Sequence, residues 1–90
     1  MSNYQTSLGI SEIAHNKISI QTITAEGTGV VSIPHGMSSA PDYFYGFTIG
    51  YKLLVTPHSL GSNTVSLYVY NFSSTTTAAT DLYWIGIIFS

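Results

Sequence analysis

The side chains of this sequence that could move protons or hold a metal are His15, His35 and His58, together with the carboxylates Glu12, Glu26, Asp42 and Asp81. His35 and Asp42 are the pair whose types suit acid–base work. The plainer reading is that His35, set between Pro34 and Gly36, hydrogen-bonds backbone and shapes a turn, and that is the expectation. His58 follows Pro57 in a second stretch of turn-forming residues and is read the same way. No GxSxG sequence sets up a nucleophile. Glycoside cleavage needs two carboxylates at a set separation, and the carboxylates here fall in no recognisable motif. Gly27, Thr28 and Gly29 lack the lysine and the following helix of a phosphate loop. The histidines stand too far apart for a structural zinc site. No enzyme activity, metal or cofactor is expected. Sugar binding is the one ligand chemistry with material behind it. Tyr43, Tyr45, Tyr51, Tyr68, Tyr70, Tyr83 and Trp84 offer aromatic faces, and Asp42, Asn63 and Asn71 offer polar partners. Aromatics at every second position more often fill a core or an interface. Any ligand or partner site is therefore expected on loops, at His35, Asp42, His58 and Asn63.

Such residues need a scaffold, and composition limits what that scaffold can be. A chain of 90 residues makes one domain. Domains this small gain stability from disulfides, metal or association. Cysteine is absent and metal is not expected, which leaves association. Charge agrees with this: Asp, Glu, Lys and Arg make up 7% of the residues, against about 25% in ordinary soluble domains. Polarity comes from Ser, Thr, Asn and Gly, while 44% of the chain is hydrophobic. A net charge of −2, with Lys17 and Lys52 as the cations and no Arg, argues against nucleic acid as a partner. The same lack of cations argues against anionic membrane surfaces. No apolar run is long enough to cross a bilayer, and the start MSNYQTSLG has no signal-peptide pattern. Synthesis in a cytoplasm without export is expected.

Along the chain, residues 1–9 read as an N-terminal arm and residues 10–90 as a single β-domain. Residues 10–15 are ambiguous between a helical turn and a short strand. From residue 17 the period-2 pattern persists, with Ile18 and Ile20 on one face, then Val31 and Ile33. Pro34 must end its strand or lie at an edge. Residues 43–55 are the longest β-like run, with Tyr43, Tyr45, Phe47, Ile49 and Tyr51 opposite Phe44, Gly46, Thr48 and Gly50. The small residues call for something packed close to that second face. Residues 56–63 read as turn, and residues 73–80 as a hydroxyl-rich loop. Between them Val65, Leu67 and Val69 alternate with Tyr68 and Tyr70. The closing strand, DLYWIGIIFS, is apolar on both faces, and a strand of that kind must be covered on both sides. In so short a chain the second cover is expected from another subunit. The expected interface is Tyr83, Trp84, Ile85, Ile87 and Phe89, with Tyr45 and Phe47 from the aromatic strand.

The run GTGVVSIPHGMSSAPDYFYGF, residues 27–47, resembles a pattern of phage virion proteins. In that pattern a Gly-rich strand leads into Pro-His-Gly, a loop with Pro-Asp, and an aromatic strand. TVSLYVYNFSSTTTAATDLYWIGI, residues 64–87, looks like its usual companion. The family is similar to the H-type lectin fold. The resemblance implies an all-β antiparallel sandwich of about six strands, assembled as a homotrimer whose closing strand builds the interface. It also implies a place on a virion surface, with capsid or tail proteins as partners. The function then expected is a non-enzymatic head-decoration or cement protein, or a short fibre module, with the arm as a strap. A lectin-like adhesin module of a tail fibre, binding host-surface glycan, is the alternative.

Overall fold

The structure is a computed structural model and describes residues 9–49, 52–74 and 80–90. Six strands form where β-branched and aromatic residues alternate with small polar ones: β1 (Ile10–Ile20), β2 (Thr28–Pro34), β3 (Tyr43–Thr48), β4 (Leu53–Leu60), β5 (Thr64–Asn71) and β6 (Thr80–Phe89). Among the described residues there is no helix. The strands build two three-stranded sheets, sheet A in the order β1-β6-β3 and sheet B in the order β2-β5-β4. Every pairing is antiparallel. The two sheets share one core, so the chain is an all-β structure of two antiparallel layers.

The central strands supply the heart of that core. Val65, Leu67 and Val69 of β5 face Leu82 and Trp84 of β6, and all are buried. Ile33 of β2, Phe44 of β3 and Ile20 of β1 complete it. Two glycines make room for the two aromatic rings of the core cluster, Phe44 and Trp84. Gly46 lies across from Trp84 and Gly86 across from Phe44. The rings fill both gaps and stack on each other with centroids 5.2 Å apart and 16° between planes. A Cβ on Gly46 would meet Leu67 Cδ1 at 2.9 Å, so this face does approach sheet B closely.

Three boundaries differ from the sequence expectation. Residues 10–20 form one strand, not an uncertain segment followed by a short strand. β6 dictates this by pairing with β1 from Ile10 to Ile20, with a bulge near Ser11. The run at residues 43–55 divides, because β3 belongs to sheet A and β4 to sheet B. Gly50 and Tyr51 lie outside the described residues. Residues 56–60, expected as turn, continue β4 through Pro57. β4 is an edge strand, so the missing N–H of proline breaks no ladder, and the register shifts between Pro57 and Ser59. The true turn is residues 61–63, closed by Gly61 N–H donating to Thr64 O at 2.9 Å.

Pro34 ends β2, an edge strand of sheet B, as its chemistry requires. Gly36 then turns with φ +67°. At the same end, where Asp42 accepts from Phe89 N–H, Ser90 N–H donates to Gly9 O, so both ends of the described domain meet.

Candidate functional site

Of the expected loop residues, His35 and Asn63 meet at one end of the sandwich, where β2 and β4 finish and β5 begins. His35 is buried and its ring is fully engaged. Met37 N–H donates to Nδ1 at 3.0 Å, and Nε2 lies 2.9 Å from Gly61 O. A backbone N–H can only donate and a carbonyl can only accept, so the ring is the neutral Nε2–H tautomer. The backbone N–H of His35 adds a bond to Asn63 O at 3.3 Å. His35 therefore pins the loop after β2 to the β4–β5 turn. Asp42 works on the other sheet. Its Oδ2 accepts from Phe89 N–H at 2.8 Å, and its own N–H donates to Ile87 O at 2.8 Å. The two side chains thus bond to separate backbone partners and not to each other.

His58 sits on β4 and not in a loop, with its ring centroid 4.4 Å from that of Tyr68. Asn63 is exposed in the turn. Asn71, offered by the sequence as a sugar partner, is wholly buried. Its Nδ2 donates to Ile23 O at 2.9 Å, and its Oδ1 accepts from Ser73 N–H at 2.9 Å. Among the described residues no three of His, Asp and Glu come together as metal ligands.

The larger feature is the outer face of sheet A. On β6 the outward positions are Asp81, Tyr83, Ile85, Ile87 and Phe89, beside inward Leu82, Trp84 and Gly86. Register brings three rows across the sheet. Ile13, Ile87 and Tyr43 form one, His15, Ile85 and Tyr45 the next, and Lys17, Tyr83 and Phe47 the third. Tyr45, Phe47 and Tyr83 stack in succession, with centroids 5.7 and 5.6 Å apart. Tyr45 is still 50% exposed and Phe89 49% exposed, so this band of rings and branched chains faces outward. Lys17 and Asp81 close its polar end with an ion pair of 3.4 Å, and Ser19 Oγ donates to Asp81 Oδ1 at 3.1 Å.

Of the seven residues expected at an interface, Tyr83, Ile85, Ile87, Phe89, Tyr45 and Phe47 share this face. Trp84 does not. It points inward onto Phe44, because its neighbours at odd positions take the outer side. Tyr43 and Ile13 join the band, which the sequence reading missed. Tyr43 was recognisable by its parity with Tyr45, whereas Ile13 needed the register of β1 on β6.

Sheet B also exposes apolar side chains, among them Val30, Leu54, Tyr68 and Tyr70. Its central strand is half hydroxyl on that side, with Thr64 and Ser66 preceding the tyrosines. Sheet A presents four apolar side chains in a row on its central strand. Comparison of the chain with protein-family models, with curated proteins and with solved structures finds no match in any of the three.

Proposed function

We propose that this chain is a non-enzymatic structural module that self-associates by burying the outer face of sheet A against further copies. One observation carries the reading: the unbroken outward row Tyr83, Ile85, Ile87 and Phe89, flanked by Tyr43, Tyr45 and Phe47. A face of that kind holds few ions to attract a charged partner. A second copy offers the same rings and branched chains, so joining removes apolar area from water at about 25 cal/mol per Å². The low charge of the whole chain supports the same reading.

A trimer, and a place on a virion surface beside capsid or tail proteins, rest on the resemblance of residues 27–47 and 64–87 to phage virion proteins and the H-type lectin fold. The glycan-binding alternative has less behind it, since both ring nitrogens of His35 and the Asp42 carboxylate bond to backbone.

Light scattering tests the proposal. The protein is expected at three times its 9.7 kDa chain mass, and Ile85→Asp at the mass of a single chain. Ile85 lies on the outer face, so the variant should keep its β-type circular dichroism. A wild-type protein that stays a single chain at high concentration would remove the basis of this function.

A further inference from the structure

We infer that His15 makes the association sensitive to acid: copies stay joined while its imidazole is neutral and separate when it takes up a proton. The inference rests on the reading that copies associate through the outer face of sheet A, and it gives that face a control. Register sets His15 of β1 beside Ile85 of β6, and Ile85 beside Tyr45 of β3. This row is the middle one of the three that cross the sheet. The row of Ile13 and Ile87 lies on one side of it and the row of Lys17 and Tyr83 on the other. His15 is exposed while Ala14 before it is half-buried, so the ring shares the outward side with Ile13. Burying this face against another copy takes the ring out of water.

The two forms of the ring fare differently there. Neutral imidazole is aromatic and carries one donor and one acceptor, which hydroxyls of facing tyrosines can satisfy. Imidazolium is a cation, and a cation taken from water without a counter-charge is costly. The groups around His15 supply none. Its neighbours on β6 are Tyr83, Ile85 and Ile87, and beyond them on β3 stand Tyr43 and Tyr45. Phenols carry no charge in acid. Lys17, the next outward residue on β1, is itself a cation. Asp81 is held by Lys17 at 3.4 Å and by Ser19 Oγ at 3.1 Å, and its partner in register is Ser19, further along β1. Glu12 accepts from Ser38 N–H and Oγ, and Asp42 from Phe89 N–H. Among the described residues no carboxylate makes an ion pair with His15.

Histidine is the side chain whose ordinary titration falls between about pH 5 and 8. Association that buries only the neutral form is complete above that range and is lost as pH falls through it. Each copy brings one such ring, so the effect multiplies with the number of copies joined. The other two histidines stand apart from this face. His58 lies on β4 of sheet B, and His35 is bonded within its loop.

Light scattering over a concentration series, at about pH 8 and about pH 5, tests this on the full chain. For the wild type, the concentration at half assembly should rise at least about tenfold on acidification. For His15→Gln the same ratio between the two pH values should stay below about twofold. His15→Phe keeps a ring that cannot charge and should give the same flat ratio, which covers the case of a glutamine variant that assembles too weakly to measure. Comparing ratios cancels any contact that a substitution removes at both pH values. Circular dichroism of the wild type should be the same at both. A wild type equally assembled at both pH values overturns the inference and leaves self-association standing. An equal loss of assembly in all three proteins also overturns it, and assigns the response to another group. A wild type that is a single chain already at about pH 8 refutes self-association itself, and this inference with it.

Discussion

Gly86 shows how one missing methyl group governs the core. A Cβ there would lie 2.9 Å from Met37 Sδ and 3.2 Å from Phe44 Cδ2. Gly86→Ala must shift the Phe44–Trp84 stack or the loop that seats Met37, and should cost about 1–3 kcal/mol. Urea unfolding checks this, and a cost near zero would mean that the loop gives way freely. His35 carries a different burden. His35→Ala removes the partner of Met37 N–H and of Gly61 O together. The buried Met37 N–H left without a partner costs about 1–3 kcal/mol, and the part-buried Gly61 O costs less because water can reach it. The midpoint of unfolding should fall with little change in slope. The turn-shaping role of His35 was legible from Pro34 and Gly36 on either side of it. Its partner Gly61 was not, because contact across 26 residues depends on how β2, β4 and β5 line up.

At the scale of the strand, alternation was the most readable signal. The inward and outward sets of β5 and β6 follow their sequence parity, since successive side chains on a strand point to opposite faces. The grouping of Trp84 with the interface residues failed on that same rule, because an aromatic residue at an even position belongs with Leu82 and Gly86. Strand ends were less readable. Pro57 and His58 look like turn residues in isolation, and only the edge position of β4 lets a strand run through them. The interruption after Thr48 was hidden because β3 and β4 are similarly apolar, and crossing between sheets leaves no compositional mark. Single strands also differ in what they tolerate. Ile85→Asp is expected to spare the fold, since only its outer side changes, whereas the same charge at Leu82 would enter the core and unfold the chain.

Across the whole molecule the shortage of ions sets how association should respond to solvent. The main exposed ion pair on the sheet A face, Lys17 with Asp81, is well exposed and contributes little. Contact made mostly of rings and branched chains is not screened by salt. Raising sodium chloride to about 1 M, where charges are screened beyond about 3 Å, should leave the assembled mass unchanged. Sulfate should tighten the assembly. Dissociation by sodium chloride, read by light scattering, would mean that charged groups hold the copies together. The meeting of Gly9 and Ser90 has its own consequence for architecture. Incoming and outgoing polypeptide share a single doorway, so the sandwich could be spliced into a surface loop of a larger protein without prising that host apart. Used this way it would hang like a pendant from two adjacent threads, leaving both broad sides turned to neighbours.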